Sequence, residues 1–502
     1  MDLLNCIICL SFAWITIQSV YFLARRSKAI PRTRLPPGPK PFPLIGNLFE
    51  IGDKPHLSLT KLSQRYGPIM SLQLGQLTTI VVSSTTLAKE ILRTHDQVFC
   101  NRTLPEAIHA CKHSEYSMAW LPVSARWRNL RTICNLQLFA PKVLDANQAK
   151  RRVKVQKLVD DVNECMRAGE AVDIGRAVFS TTLSLLSQTI FSVDLADPSS
   201  KTTREFKETV WGMMEEIGKP NLADYFPFLR KLDPQGIRRR LTHHFQITVD
   251  MFDRMIHQRL ESRKRDGYIS TNDMLDTLLN INEDKMEDMD MPETQHLFLD
   301  LFAAGTDTSS ATMEWAMAEL LRNPEILSKA QAELEQVIGK GKLVEESDIV
   351  RLPYLQAIIK ETFRVHPTVP FLLPRKAEAN IEIGGYIIPK GARVLINFWA
   401  ISRDPITWDN PNLFMPERFL GLDNQIDVTG KNFELIPFGG GRRICPGLPL
   451  AIRMLYLMLG SLINCFDWEL EDGVVPETMN MEDKFGLTLQ MAQPLRAVPK
   501  KL

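Results

Sequence analysis

The chain has 502 residues, 44% hydrophobic and 24% charged, an ordinary globular composition with ample length for a large core. With 60 basic against 59 acidic residues the formal net charge is +1, which argues against nucleic acid or any polyanionic partner. The eight cysteines are scattered, with no C-x-x-C pair and no Cys/His cluster at zinc spacing, so they point to a reducing compartment.

From Leu3 to Ala24 the chain runs 22 residues without a charge. At ~1.5 Å per residue a helix of that length crosses a ~30 Å bilayer core. No basic residue precedes the run and no small-x-small cleavage site follows it, which favours an anchor over a cleaved signal peptide. The positive charges come after it, at Arg25, Arg26, Lys28, Arg32 and Arg34, and keep the remainder of the chain cytosolic. Residues 1–28 are therefore read as a single-pass membrane anchor. Residues 29–44 carry Leu35-Pro36-Pro37-Gly38-Pro39-Lys40-Pro41-Phe42-Pro43, whose prolines fix φ and bias their neighbours to extended backbone, giving a stiff spacer. A ligand for a polyproline-binding domain is the alternative.

Residues 45–502 show no repeat and no second linker, and are read as one catalytic domain. The sequon Asn101-Arg102-Thr103 lies on the cytosolic side and stays unmodified. Ile69–Ser83 is β-rich about a glycine turn and predicts a hairpin. From about Lys142 helical periodicity dominates, and Ile381–Trp399 is a second strand-rich patch. The fold class is thus mainly α with a smaller β part. No Gly-x-Gly-x-x-Gly follows a strand and no Walker loop exists, so redox chemistry here must draw electrons from outside the chain.

Three later segments carry chemistry. Ala304-Gly305-Thr306-Asp307-Thr308-Ser309 sets polar residues into an otherwise apolar helical stretch from about Glu293 to Arg322; Gly305 permits a local distortion, and hydroxyls bonding back to carbonyls bend helices. By itself it reads rather as a solvent-facing polar turn. Glu361-Thr362-Phe363-Arg364 puts opposite charges three apart on one helical face, by itself a surface ion pair. Phe438-Gly439-Gly440-Gly441-Arg442-Arg443-Ile444-Cys445-Pro446-Gly447 combines glycines that allow a tight turn and close approach with a single cysteine before a helix. A lone cysteine is usually a buried, inert thiol. That reading leaves three glycines, two arginines and a Cys-Pro-Gly turn unexplained.

The last segment resembles the cytochrome P450 signature F-x-x-G-x-R-x-C-x-G at each fixed position: Phe438, Gly441, Arg443, Cys445 and Gly447. The resemblance implies the P450 fold with an N-terminal transmembrane helix, and a haem b (iron-protoporphyrin IX) whose axial metal ligand is Cys445. It implies that Arg443, Arg375 of Pro374-Arg375, and Trp127 and Arg131 of the W-x-x-x-R pattern lie at the haem propionates. Thr308 and Asp307 match the family's oxygen-activation motif, Thr308 hydrogen-bonding dioxygen and Asp307 relaying protons from solvent. Glu361, Arg364 and Arg418 match a buried structural triad. Further stretches, such as Leu232-Asp233-Pro234-Gln235-Gly236-Ile237 and Phe433-Glu434-Leu435-Ile436-Pro437-Phe438, resemble plant microsomal P450s of the geraniol 8-hydroxylase group.

The expected function is a monooxygenase hydroxylating a small apolar plant metabolite, a terpenoid, with O2 and electrons from NADPH delivered by NADPH-cytochrome P450 reductase at the endoplasmic reticulum membrane. A phenolic or xenobiotic substrate, or a non-oxygenating haem-thiolate isomerase or dehydratase, is the alternative; Thr308 beside Asp307 speaks against the latter. By family correspondence the pocket is formed by Thr103–Trp120, Asn221–Phe228, Leu301–Gly305, Thr368–Leu373 and Lys484–Leu489, with Phe302, Ala303, Val369, Phe371, Leu372, Phe485 and Leu487 as its apolar lining. Basic clusters Arg128/Arg131 and Arg151, Arg152, Lys154 and Lys157 are expected to dock the reductase.

Overall fold

The computed structural model describes residues 34–502 except 197–200, 272, 284–289 and 422–425, together with positions 9, 11, 12, 14 and 16. The anchor expected over residues 1–28 therefore lies almost wholly outside the described residues; those five positions are helical, and Phe12 and Trp14 are exposed. Seven helices build the walls around the site: α1 (Ala125–Ile133), α2 (Ile174–Phe191), α3 (Lys201–Gly218), α4 (Ile237–Arg263), α5 (Met291–Arg322), α6 (Pro353–Val365) and α7 (Leu448–Cys465). The smaller β part is a five-stranded sheet of order β1-β2-β5-β4-β3, formed by β1 (Ile69–Leu74), β2 (Leu77–Val82), β3 (Asn101–Arg102), β4 (Arg375–Lys376) and β5 (Arg393–Ile396). A short antiparallel pair, β6 (Asp483–Lys484) and β7 (Gln490–Met491), stands apart from it.

The hairpin forms where the sequence predicts it, antiparallel from Ile69↔Val82 to Leu74↔Leu77 about Gly75. Part of the proline-rich segment lies along the sheet. Ser71 donates its N–H to the Pro37 carbonyl and its hydroxyl to the Pro36 carbonyl, each at 2.7–2.8 Å, so residues 36 and 37 are bound to β1. Asn101 of the sequon is engaged in the fold, its amide donating to Glu378 at 3.0 Å and accepting the Val123 N–H at 2.9 Å.

α5 is the axis of the molecule. Its 32 residues, ~48 Å of helix, start at a capping box in which Asp290 accepts the Glu293 N–H and Glu293 accepts the Asp290 N–H. Its first half, Leu297 to Phe302, is buried with α2, α3 and α4 in one apolar cluster. Its second half, Met313 to Leu321, is buried with α6 and α7 in another. The hydroxyl-rich segment lies between the two. α7 is apolar and long enough to cross a membrane, yet 61% of it is buried inside the protein, which marks a core helix.

Glu361 and Arg364 are fully buried on α6 rather than paired at the surface. Arg364 makes a two-pronged ion pair with Glu361 at 2.7 Å on both oxygens, and Arg418 adds a third contact at 3.0 Å. The remaining Arg364 N–H groups donate to the carbonyls of Ser402, Pro411 and Leu413. The triad thus clamps the irregular chain from 402 to 418 onto α6. Removing one partner strands the others in a dry interior, at about 3–5 kcal/mol. Glu361→Ala is expected to lose about that much stability, read as a collapse of the thermal midpoint or of folded yield; a midpoint within a few degrees of wild type would contradict the clamp.

Candidate active site

The segment before α7 turns tightly because Gly441 adopts φ +67° and lies against the Leu92 carbonyl, where a Cβ would fall 2.0 Å from that oxygen. Phe438 accepts the Cys445 N–H at 3.0 Å and closes the loop. Gly447 caps α7, and the N–H groups of Gly447 and Leu448 point at the Cys445 sulfur. Burial pushes the thiol up, while these two N–H groups and Arg131 pull it down toward thiolate. The sulfur opens into an internal cavity of about 340 Å³, walled by Phe438 and Gly439 of the loop, Ala303 to Gly305 and Thr308 of α5, and Val369, Leu372, Leu487 and Thr488.

Four guanidinium groups line this cavity: Arg102, Arg131, Arg375 and Arg443. The β3–β4 register places Arg102 directly opposite Arg375. Arg375 donates to the carbonyls of Phe99 and Gly440, and Arg131 to that of Ile444 at 2.5 Å. Arg443 donates to the carbonyls of Cys100, Met118 and Leu121. Arg102 donates to Leu373, and its Nε is enclosed with no partner. Among the described residues none of the four meets a carboxylate. Burial holds Arg375 and Arg443 down to about 10, with Arg375 a further cause for Arg443, and depresses Arg102 and Arg131 as well. Trp127 backs this group: its indole N–H donates to Met118 at 3.1 Å, and the Arg443 guanidinium lies 4.6 Å from its ring centre. One sulfur beneath apolar walls, ringed by unneutralised cations, is a donor set that fits haem b, with the guanidiniums available to its two carboxylates.

α5 runs unbroken past the cavity. Thr306, Thr308, Ser309 and Thr312 each donate to the carbonyl four residues back, at 2.7–2.9 Å, which keeps these hydroxyls satisfied inside the helix. Gly305 serves close packing: a Cβ there would lie 3.0 Å from Leu186 on α2. Asp307 departs from a direct line to solvent. It is buried and turned toward the β6–β7 connection, accepting from the Thr488 hydroxyl and from Gln490 Nε2 at 2.7 Å. Burial raises its carboxyl and these two bonds lower it. It reaches the cavity through Thr488, which lines the wall.

Several lining residues differ from expectation. Ala303, Val369, Leu372 and Leu487 face the cavity, but Phe302 is fully buried on the opposite side of α5, stacked among Phe191, Phe206 and Phe252. One residue along a helix rotates the side chain by about 100°, which separates Phe302 from Ala303. Phe371 and Phe485 pack against Leu59, Met70 and Leu72 beneath the sheet. Met214 and Ile217 of α3 take the place expected for Asn221–Phe228. The basic clusters also divide. Arg131 faces the cavity, Arg151 is buried with Glu346 at 2.5 Å, and Lys154 is bound to Asp194 at 2.6 Å, leaving Arg128, Arg152 and Lys157 exposed. Residues the sequence reading did not single out are Arg102, Asp300, Thr488 and Gln490; each is recognisable only by what stands opposite it in space.

Two turns beyond Asp307, Glu314 accepts the Leu495 N–H at 2.9 Å, and burial lifts its carboxyl to about 7, with Asp173 and Asp307 adding. A carboxyl raised in the folded state favours folding only while protonated, so its contribution is lost as pH rises from the ordinary carboxylate value to about 7. Glu314→Gln removes that dependence: between pH 5 and pH 8 the variant should gain on wild type by on the order of 3 kcal/mol, measured as the difference in unfolding midpoints. Parallel profiles would refute the assignment.

The cytochrome P450 family model matches residues 36–495. The chain is 53% identical to geraniol 8-hydroxylase of Catharanthus roseus, with 100% of both chains covered. It is 54% identical to geraniol 8-hydroxylase of Swertia mussotii, covering 100% of this chain and 99% of that one. It is 51% identical to drimenol monooxygenase of Persicaria hydropiper, at 100% and 98%. The cofactor of this family is haem b. A match over nearly the whole length, on a helical fold whose cavity fits that cofactor, makes the chain a member of the cytochrome P450 family, a haem-dependent monooxygenase.

Proposed function

We propose that Cys445 would ligate the haem iron, that Arg375, Arg443, Arg131 and Arg102 would receive the propionates with Trp127 supporting Arg443, and that Phe438 and Gly441 shape the ligand loop. When bound, the haem supplies the activation of dioxygen that inserts one oxygen atom into a C–H bond. The protein's part is to bind, to keep water out and to bring protons. The Thr308 hydroxyl, on the cavity wall and bonded at 2.7 Å to the Ala304 carbonyl, holds a proton there. Asp307, raised by burial and joined to the wall by the Thr488 hydroxyl, is the acid behind it. This pairing favours oxygenation over the isomerase or dehydratase reading.

The substrate proposed is a small terpenoid, in the manner of a geraniol 8-hydroxylase. The observation that carries this is the cavity wall itself: Ala303, Val369, Leu372, Leu487, Met214 and Ile217 present hydrocarbon to whatever lies in the cavity. The names of the similar proteins, two geraniol 8-hydroxylases and a drimenol monooxygenase, support the same class. Electrons come from NADPH through a separate NADPH-cytochrome P450 reductase, to which Arg128, Arg152 and Lys157 are offered at the surface. Localisation is proposed at the endoplasmic reticulum membrane, single-pass with the catalytic domain cytosolic. The uncharged run 3–24 and the basic residues after it support this.

Two variants test the site. Cys445→Ala in folded protein is expected to abolish the red-shifted Soret band that a thiolate-bound haem gives with carbon monoxide; an unchanged band would remove Cys445 as ligand. Thr308→Ala is expected to bind haem and substrate as wild type does, while most NADPH consumption ends in released hydrogen peroxide, a loss of coupling of about tenfold or more. The substrate class is tested with the reductase-coupled enzyme on monoterpene alcohols, larger terpenes and phenolics. Turnover of phenolics alone would overturn the terpenoid reading.

A further inference from the structure

Among the polar residues of the cavity wall, Asp300 and His113 form a cluster that the haem does not account for. Asp300 and His113 both line the cavity, and Asp300 lies two helical turns before Thr308 on α5. Around Asp300 one carboxylate oxygen is well served: Oδ1 accepts the Ser117 hydroxyl at 2.6 Å and faces His113 Nε2 at 3.3 Å. His113 is itself held from behind, its Nδ1 lying 2.9 Å from His296 Nδ1, with Tyr116 stacked on the His296 ring. The other oxygen, Oδ2, is buried and has no donor among the described residues.

That vacancy sets Asp300 apart from two buried carboxylates described above. Both oxygens of Asp307 are bonded, and so are both oxygens of Glu361, the other deeply buried carboxylates beside the site and the clamp. A buried carboxylate oxygen without a donor is unfavourable. Asp300 is nevertheless held in place by Ser117 and His113, at a wall that otherwise offers a ligand mainly hydrocarbon. A ligand carrying a hydrogen-bond donor would complete it. The four guanidiniums on the same cavity disfavour a cationic donor, so a neutral hydroxyl is the better match.

We infer that Asp300 is the polar anchor of the substrate pocket, its free Oδ2 accepting the hydroxyl of an acyclic terpenoid alcohol whose opposite end is the one oxidised. The inference rests on the terpenoid reading and adds to it the residue that holds the alcohol. Eight residues of α5 separate Asp300 from Thr308, ~12 Å along the axis, roughly the reach of an extended chain of eight to ten carbons. An alcohol gripped at Asp300 therefore presents its far end at Thr308 and Cys445, and oxidation occurs remote from the hydroxyl. Asp300 is a positioning and specificity residue; it takes no part in oxygen chemistry.

The test is a spectral titration of the haem-loaded protein with a linear monoterpene alcohol, its methyl ether and the alkylammonium of the same chain, followed by product analysis. Wild type should bind the alcohol about tenfold or more tightly than the ether. Asp300→Ala should weaken the alcohol about tenfold, leave the ether within about twofold, and spread oxidation over several carbons. Equal affinity of wild type for alcohol and ether overturns the anchor even if both are oxidised, and needs no variant to fold. Equal weakening of both ligands by Asp300→Ala and by the isosteric Asp300→Asn makes the residue structural and likewise overturns it. Tighter binding of the ammonium than of the alcohol overturns the choice of a neutral hydroxyl. A protein that oxidises other molecules yet shows no spectral shift with either alcohol or ether refutes the terpenoid reading itself, and the anchor with it.

Discussion

Like charges set directly opposite one another in a sheet repel, and this chain places Arg102 opposite Arg375 and adds Arg443 and Arg131 to the same cavity. Among the described residues nothing neutralises them: their donors end on backbone carbonyls, and one Nε has no partner. The four residues come from places far apart in the chain, so the fold is committed to an anion at the point where its distant segments meet. Haem carboxylates are the natural answer, and binding them there would relieve a repulsion already built into the scaffold. Cofactor and fold are to that degree one cooperative unit.

The buried triad on α6 is the opposite solution to the same problem. There the cations of Arg364 and Arg418 share the carboxylate of Glu361, and every spare donor of Arg364 finds a carbonyl. Its saturation makes it rigid and inert, and it fixes the chain from 402 to 418 without offering anything to a ligand. Saturated charge serves architecture here, and unsaturated charge marks where something binds. Asp300, with one oxygen satisfied and one not, sits between the two cases.

How far the sequence could be read follows the range over which each feature is determined. The ligand loop, the hydroxyl-rich helix and the Glu361/Arg364 pair were legible because their residues lie within one turn or one helix of each other. The hairpin at 69–82 was legible for the same reason. The facing of Phe302, Phe371 and Phe485 was not, since an apolar residue beside a pocket and one beneath it carry the same signal in one dimension. Arg151 and Lys154 read as part of a basic surface, but each finds its carboxylate on a distant segment and turns inward. The polar island at Asp300 joins positions separated by 183 residues, and no local pattern could announce it. The attachment of Pro36 and Pro37 to β1 was not legible, because extended backbone is as well suited to lying along a strand as to spacing two bodies apart.

The hydroxyls of α5 that bond back to their own helix have a consequence in time rather than in space. A threonine held this way has a partner four residues behind it, so its side chain can rotate to a new acceptor in the cavity and return, exchanging one bond for another. Such rotamer changes occur in picoseconds to nanoseconds, far faster than enzyme turnover in general. Thr308 can therefore come to equilibrium with whatever occupies the cavity at every stage of a cycle. Its rotation is too fast to limit the reaction.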